Sequence, residues 1–242
     1  MSGHSKWATT KRRKGAQDAK RGAIFTKIAN IITIAAREKG GDLDTNFTLR
    51  MAIDKAKMAN MPKENIERAI KRGTGELGGA EIVECIYEGV GPANSQFVVK
   101  VLSDNRNRTA AEIRHAFTKY GGSLSGVMWN FEQKGVIRIS NEELEGKKIN
   151  IEEMELELID LGILDIKVEA EGATIFTSFS DLQKVKKYLD DKSIATESAE
   201  VEYIAKDEIE ASESDAEKIQ KFIDTLEESD DVADYYTNIS NV

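Results

Sequence analysis

Cationic side chains crowd the first part of the sequence, and the chemistry they offer is the binding of phosphate groups. Between Lys6 and Lys27 only Asp18 carries a negative charge. Lysine and arginine neutralise phosphates and release counterions, while Trp7 could stack on an exposed base or, alternatively, anchor a small helical core. The candidate contacts to nucleic acid in this segment are Lys6, Trp7, Lys11, Arg12, Arg13, Lys14, Lys20, Arg21 and Lys27.

The cationic segment belongs to a chain whose charge is strongly asymmetric. Residues 1–80 hold 17 lysines and arginines against 8 acidic residues, a net charge of +9. The remaining 162 residues hold 17 basic and 35 acidic residues, a net charge of −18, so that the whole chain carries −9. A surface that served only solubility would mix the two signs. The split therefore favours a polyanion-binding end attached to an acidic body.

A second anion site is predicted where a strand pattern meets a helix pattern, in the run from Asp104 to Thr109. The free N–H groups and the dipole of a helix N-terminus favour anions, and Arg106 and Arg108 add charge and bidentate donors. The alternative is an Asn/Asp turn with solvated arginines. Thr109, followed by Glu112, fits a capping box at the start of this helix.

Signals for catalysis and for metal binding are weak. The single cysteine, Cys85, excludes an internal disulfide and a multi-cysteine zinc site, and it lies in a strand pattern without a local base. His4 and His115 are the two histidines. We therefore expect no catalytic residue, no metal and no cofactor, although acid–base chemistry among the many carboxylates stays open.

The sequence contains no membrane-spanning pattern. Its longest apolar run, Ile28 to Ala36, is about half of the ~18 residues that a membrane span needs. The basic N-terminal segment lacks the apolar region of a secretory signal, and we favour a mature basic arm over a mitochondrial targeting peptide. Together with the single cysteine, these features lead us to expect a cytoplasmic protein.

Hydrophobic periodicity predicts three amphipathic helices within residues 16–72, packed through their apolar faces with the basic side chains outside. The segment from Gly73 to Gly79 matches the letters of the dinucleotide-binding GxGxxG pattern. Because a helix precedes it and a strand pattern follows, we interpret it as a linker.

Strand and helix patterns then alternate along the rest of the chain. We predict strands at 82–90, 96–102, 127–131, 135–140, 163–169, 173–178, 199–204 and 232–238, and helices at 110–119, 150–161, 180–191 and 213–227. The middle part has the βαββαβ order of a ferredoxin-like unit, and the flanking parts complete a second sheet. The predicted fold is α+β, with an N-terminal three-helix domain (1–79) and two ferredoxin-like α+β domains, one (135–205) inserted in the other (80–134 and 206–242).

Several motifs in order resemble the YebC family over residues 3–135. They are Gly3-His4-Ser5-Lys6-Trp7, the segment from Ala16 to Lys27, Ala52 to Ala56, Asn60 to Lys63, Asn65 to Ile70, Tyr87-Glu88-Gly89, the run from Asp104 to Thr109, and Arg114 to Lys119. The chain departs from the family in three places: Gly91-Pro92-Ala93-Asn94 replaces a Gly-Pro-Gly-Gly turn, the loop from Gly122 to Val127 is shorter, and Arg12 stands where histidine is common.

The resemblance implies three domains around a central cavity and a role in gene expression without catalysis. One alternative is a DNA-binding transcriptional regulator, and the other is a ribosome-associated translation factor that contacts rRNA or tRNA and relieves stalling at proline-rich stretches. A third alternative is an enzyme that uses the cavity between the α+β domains. The expected partner is nucleic acid, with no membrane and no small-molecule substrate. The sequence carries no helix-turn-helix, zinc-finger or RNP signature, which weakens sequence-specific readout of DNA.

Overall fold

The structure, a computed structural model, describes residues 21–151 and 153–241, with Arg21 described in its backbone only. Its first helices are α1 (Arg21–Lys39), α2 (Phe47–Met58) and α3 (Lys63–Gly73). The expectation of N-terminal helices is thereby confirmed for the described part of the chain. Asn46 begins α2, because its side chain accepts a hydrogen bond from the Leu49 N–H at 3.0 Å.

The apolar faces of these three helices form one core. Its fully or nearly fully buried members include Ile28 and Ile32 of α1, Leu49 of α2, and Ile66 of α3. Gly73 ends α3 where the helix approaches α1 closely, since a Cβ atom at this position would lie 2.4 Å from the carbonyl oxygen of Thr33. The packing thus explains the glycine at this position without any role in nucleotide binding.

The remaining elements are strands and helices in alternation. The strands are β1 (Val83–Val90), β2 (Gln96–Ser103), β3 (Ser123–Leu124), β4 (Phe131–Ser140), β5 (Ile163–Glu169), β6 (Gly172–Thr177), β7 (Ser198–Ala205) and β8 (Val232–Thr237). The helices are α4 (Arg106–Lys119), α5 (Asn141–Gly146), α6 (Glu155–Asp160), α7 (Leu182–Asp191) and α8 (Glu213–Glu228). Short 3₁₀ turns occupy Pro92–Asn94 and Met128–Asn130.

The strands form two four-stranded sheets, in the orders β3-β1-β2-β8 and β5-β6-β4-β7. The pairings β1–β2, β1–β3, β2–β8, β4–β6 and β5–β6 are all antiparallel. The α+β class, with N-terminal helices and two such sheets, is confirmed. The second sheet has the strand order of a ferredoxin-like unit. In the first sheet, by contrast, the first two strands, β1 and β2, pair directly as a hairpin.

The chain divides into two compact units, with boundaries at Phe131/Glu132 and Ile204/Ala205. Unit 1 holds α1 to α4, the first sheet and α8, and unit 2 is the segment between the boundaries. The two segments that leave unit 1 lie side by side, because the Asn130 carbonyl accepts a hydrogen bond from Lys206 N at 2.7 Å and its side chain bonds both backbone groups of Asp207. A separate 1–79 domain and boundaries at 134/135 and 205/206 stay predictions.

The core of unit 1 lies between its sheet and the helices α4 and α8. Phe97 of β2, Phe117 of α4 and Phe222 of α8 are fully buried and meet edge to face, with Phe222 centred 4.9 Å from each of the other two rings. The opposite face of β2 presents Leu102, which packs with Ile34 of α1. The first sheet is therefore covered on both faces within unit 1.

Three local predictions are wrong. Residues 127–131 are not a strand: the carboxylate of Glu88 accepts hydrogen bonds from Val127 N and Met128 N, at 2.8 and 2.7 Å, and so stabilises a 3₁₀ turn. The helix predicted at 150–161 is shorter than expected, because only α6 lies within that range, and the unpredicted helix α5 precedes it. Finally, α4 begins at Arg106 with Asn105 as its cap, so that Thr109 lies in the first turn and its hydroxyl is buried rather than capping.

Candidate nucleic-acid interface

Most of the predicted phosphate contacts lie outside the part of the chain that the structure describes. These are Lys6, Trp7, Lys11, Arg12, Arg13, Lys14 and Lys20. Arg21 is the first residue of α1, and its side chain also lies outside the described part. The geometry of the remaining candidates, Lys27, Arg106 and Arg108, can be compared directly.

Lys27 lies on α1 and is half-buried. Its ammonium group donates a 2.8 Å hydrogen bond to the backbone carbonyl of Glu227, in the last turn of α8. A cation is favourable at a helix C-terminus, where the carbonyl dipoles concentrate negative charge. The contact therefore holds α1 against α8, which gives Lys27 a structural role in the folded chain.

Arg108, in the first turn of α4, is surrounded by carboxylates. Its guanidinium lies 2.9 Å from the carboxylate of Asp231, 3.3 Å from that of Asp104 and 3.8 Å from that of Glu112. The hydroxyls of Ser103 and Thr109 donate to the same oxygen of Asp231. This network joins the end of β2, the start of α4 and the segment between α8 and β8.

Asp231 is ionised at the centre of this network. Burial raises the pKa of its carboxyl group, but the hydrogen bonds from Thr109, Arg108 and Ser103 outweigh that effect and leave the pKa below its ordinary value. The side chain of Asp231 is 14% exposed, whereas that of Arg108 is 47% exposed. A phosphate at Arg108 would therefore have to compete with a carboxylate that is already bonded on several sides.

Arg106 presents a different environment, two residues earlier on the same helix. Its side chain is exposed and makes no ion pair with any residue that the structure describes. The hydroxyl of Tyr87, on β1, lies 3.5 Å from the Arg106 carbonyl oxygen. Arg114, two turns along α4, is likewise exposed and unpaired among the described residues.

The positive charges of Arg106 and Arg114 both affect the pKa of the Tyr87 phenol. Burial raises the pKa of its phenol above the ordinary value, and Cys85 adds to that effect, while the positive charges of Arg106 and Arg114 act in the opposite direction. The ring is half-buried and packs against the aromatic core of unit 1. Tyr87 contacts the start of α4 at Arg106, and Arg114 lies two turns further along the same helix; we call these three residues the Tyr87 surface.

A cleft of about 750 Å³ lies on the other side of α4, within unit 1. Its walls come from α1, α4 and the end of α8. The acidic side chains that line it are Asp104, Glu112, Glu228, Asp230 and Asp231, and the basic ones are Arg72, Arg108 and Lys119. Because acids outnumber bases, the cleft does not suit a polyanion.

Catalytic and metal chemistry gain no support from the described residues. None of their His, Cys, Asp and Glu side chains form a group of three that could hold a metal ion. Cys85 is partly buried and packs against the core of unit 1, and His115 is an exposed residue at the cleft. Within the same described ranges, no helix has the length and apolar character needed to cross a bilayer.

Tyr87 and Arg114 were not among the residues expected at the site. Both belong to motifs that carry the family resemblance, but neither has a distinctive spacing to Arg106 in the sequence. The sequence shows Arg114 two helical turns after Arg106. It does not show which side of α4 faces β1, because that depends on tertiary packing. The strand position of Tyr87 was correctly expected, whereas its contact with α4 was not.

The fold and these surfaces define an α+β protein with N-terminal helices, two antiparallel sheets and a cationic N-terminal region. The chain belongs to the TACO1/YebC family. Residues 5–76 match the TACO1/YebC protein N-terminal domain, and residues 82–239 match the TACO1/YebC second and third domain. The resemblance stated from the sequence motifs is thereby confirmed.

Relatives of similar length support the same assignment. A "Probable transcriptional regulatory protein" of Thermotoga maritima is 48% identical over 98% of this chain and 93% of its own length. One from Thermoanaerobacter pseudethanolicus is 47% identical over 99% and 97%. Among solved structures, a conserved hypothetical protein from Aquifex aeolicus, Aq1575, is similar with a TM-score of 0.81 and 39% identity, over 92% of this chain and 91% of that one.

Proposed function

We propose that this chain is a cytoplasmic, non-enzymatic regulator of gene expression that acts by binding nucleic acid. The observation that carries the proposal is the charge of +9 on residues 1–80 against −18 on the rest of the chain. The relatives named as probable transcriptional regulatory proteins support it, since such a role requires contact with a polyanion. Phosphate contacts also give such a protein a strongly salt-dependent affinity.

The proposed contact residues are concentrated before and within α1. They are Lys6, Trp7, Lys11, Arg12, Arg13, Lys14, Lys20, Arg21 and Lys27, with Arg106 and Arg108 on α4. The described helices support a cationic surface in this region, because Arg68 and Lys71 of α3 are exposed and make no ion pair with the described residues. The three-helix core thus buries apolar side chains and leaves cations available to a partner.

A ribosome-bound translation factor that contacts rRNA or tRNA is the second candidate. It is favoured by the absence of helix-turn-helix, zinc-finger and RNP patterns in the sequence, because a protein without these elements binds phosphates and shape more readily than base edges. Relief of stalling at proline-rich stretches would follow from contacts near the tRNA. The DNA-binding and ribosome-binding roles differ in partner and not in the chemistry of the basic segment.

The test is a comparison of partners at moderate salt. The purified chain is mixed with duplex DNA, with single-stranded RNA and with ribosomes, and binding is measured by fluorescence anisotropy or by co-sedimentation. Transcriptional regulation predicts retention on duplex DNA without ribosome association, whereas the translation role predicts co-sedimentation with ribosomes. Failure to bind any of the three at low salt would contradict the proposed function as a whole.

A further inference from the structure

Helix α4 has two flanks in different electrostatic states. Along the cleft flank, Arg108 is paired with Asp231, Asp104 and Glu112. Along the other flank, Arg106 and Arg114 are exposed and unpaired among the described residues. The same helix therefore carries one arginine that is paired with carboxylates and two that pair with none of the described residues.

The sequence of α4 itself keeps the second flank unpaired. The neighbours of Arg114 at four residues' distance are Ala110 and Thr118, and Arg106 has Ala110 four residues ahead of it. None of these side chains is a carboxylate, whereas Arg108 has Asp104 and Glu112 at the corresponding positions. The positive charge of the second flank is therefore available to an external anion.

An aromatic ring lies beside these two charges. Tyr87 is half-buried, so its ring is fixed by the core on one side, while its hydroxyl reaches the start of α4. The adjoining edge of the sheet is open over most of its length, because in the described chain β3 pairs with β1 only at Gly89 and Val90. A ligand could therefore approach Tyr87 along this edge.

The geometry points to the Tyr87 surface as a contact for an unpaired stretch of nucleic acid, with Arg106 and Arg114 on phosphates and Tyr87 against a base. This inference rests on the proposed function. The two arginines are eight residues apart, about 12 Å along a helix axis, which is several times the ~3.4 Å rise per nucleotide of a stacked strand. They therefore contact different phosphates and leave room for a base between them.

The ring of Tyr87 favours single-stranded nucleic acid over a duplex. In a duplex the bases stack on one another, so a protein surface that does not enter a groove meets only phosphates. In a single strand a base can leave the stack and lie on an aromatic side chain, while nearby cations hold the backbone. The combination of a partly exposed tyrosine with two unpaired arginines fits the second case.

The test uses the full-length chain with a single-stranded oligonucleotide and a duplex of equal length, over a range of salt concentrations. Changing Arg106→Gln together with Arg114→Gln is expected to flatten the salt slope on the single strand by about 1.4 units, since each phosphate that is no longer neutralised accounts for about 0.7. Tyr87→Ala is expected to weaken single-strand binding by roughly tenfold and duplex binding by less than about twofold.

Matched controls separate the surface from general loss of charge. Lys148→Gln with Lys184→Gln removes two charges from exposed positions of unit 2 that make no ion pair with the described residues, and is expected to leave the slope unchanged. Tyr87→Phe retains the ring and is expected to bind like the unchanged chain. Because Tyr87→Ala could also loosen the core, thermal unfolding of each variant is measured. The variant with both arginines changed tests the same surface without altering a core residue.

The outcomes distinguish this inference from the proposed function. If the unchanged chain binds and the arginine pair variant binds with the same slope, the Tyr87 surface is not a contact and the inference is wrong. If Tyr87→Ala weakens single-strand and duplex binding equally in a folded protein, the preference for unpaired bases is wrong. If the unchanged chain binds neither ligand, the proposed function itself fails.

Discussion

Helices α4 and α8 cover the same face of the same sheet but carry opposite charges. The charged side chains of α4 are Arg106, Arg108, Glu112, Arg114 and Lys119. Those of α8 are Glu213, Asp215, Glu217, Lys218, Lys221, Asp224, Glu227 and Glu228. Four cations and one acid on α4 therefore stand against six acids and two lysines on α8.

The buried faces of the two helices are alike in spite of this difference. Phe117 and Phe222 are both fully buried, and their ring centres are 4.9 Å apart. Packing fixes the inward positions, whereas the outward positions contribute little to stability and can be specialised. The sheet layer therefore determines the fold, while the outer surfaces of α4 and α8 can carry opposite charges without disturbing it.

The largest effect is expected from the shared core. Phe222→Ala removes the ring that meets Phe97, Phe117 and Tyr120, and it should lower the free energy of unfolding by about 3–5 kcal/mol. Urea denaturation followed by circular dichroism measures the loss. Phe222→Leu is the matched control and should cost clearly less, because it retains most of the buried volume. A cost below about 1 kcal/mol for Phe222→Ala would contradict the role of this ring in joining the two helices.

The inward positions were also the part that the sequence predicted best. Three amphipathic helices packed through their apolar faces were expected at the N-terminus, and Ile53, Ala56, Ile66 and Ala69 are buried on the faces of α2 and α3. A buried helical stripe is a local signal, since the 3.6-residue period that produces it is visible within a few turns. The same holds for the strands at β1, β2, β5 and β6, whose observed bounds differ from the predicted ones by one residue at most.

The errors arise where distant residues determine local structure. Val127, Trp129 and Phe131 alternate like a strand, but Glu88 accepts hydrogen bonds from two backbone N–H groups of this segment and bends it. Arg108 stays a proposed contact, and its ion-pair partner Asp231 lies 123 residues away in the sequence. No local period encodes such contacts, so the availability of each cation could not be predicted from the sequence alone.

A missed local signal explains why the helix α5 in unit 2 was not predicted. Ser140-Asn141-Glu142-Glu143 has the spacing of a capping box, and the hydroxyl of Ser140 accepts a hydrogen bond from Glu143 N at 3.3 Å. The helix α5 therefore begins directly after β4. The Glu143 carboxylate bonds Ala195 N at 2.7 Å instead of returning to the cap. Hydrogen bonding to Lys147 and to that backbone group lowers the pKa of Glu143 below its ordinary value.

The second prediction concerns the cationic segment from Lys6 to Lys27. It asks whether the charge of this segment, rather than that of α4, dominates binding. If the chain neutralises about six phosphates, the logarithm of the binding constant should fall with the logarithm of salt at a slope of about −4 to −5. Changing Arg12, Arg13 and Lys14 together to alanine should flatten this slope by about 2–3 units. An unchanged slope would contradict the role proposed for the basic segment.

A charge-matched control accompanies this variant. Lys184, Lys187 and Lys218 are exposed lysines on α7 and α8, and their joint change to alanine removes the same number of charges. If binding depends on local contacts, this control should leave the slope within about half a unit of the original value. A loss as large as that of the first variant would mean that net charge, rather than the basic segment, governs the affinity.

A third prediction concerns the network that neutralises α4 on its cleft flank. Asp231→Asn replaces charge-assisted hydrogen bonds from Arg108, Ser103 and Thr109 with weaker ones, and should lower the free energy of unfolding at pH 7 by about 1–2 kcal/mol. Chemical denaturation measures the change. Asp230→Asn, at the exposed neighbouring position, is the control and should have little effect.

The pH dependence of the same variant has a defined sign. Because the pKa of Asp231 is lower in the folded chain than in the unfolded one, its contribution is present above the unfolded value of about 3.9 and is lost as pH falls through the folded value. The difference between the two proteins should therefore shrink as pH falls from 5 towards 2. A difference that grows in acid would show that the network does not stabilise the ionised carboxylate.

The smallest effect is expected on the acidic outer surface of α8. Glu217 and Glu228 are exposed, and changing both to glutamine should alter the free energy of unfolding by less than about 0.5 kcal/mol. Removing two negative charges weakens the repulsion of a polyanion, but salt screens exposed charges beyond about 8 Å at physiological ionic strength. Affinity for a nucleic acid should therefore rise slightly at low salt and not at high salt, as salt-dependent anisotropy can measure. A salt-independent gain would place the nucleic acid in direct contact with α8, and the contrast between the two helices would no longer explain where a polyanion binds.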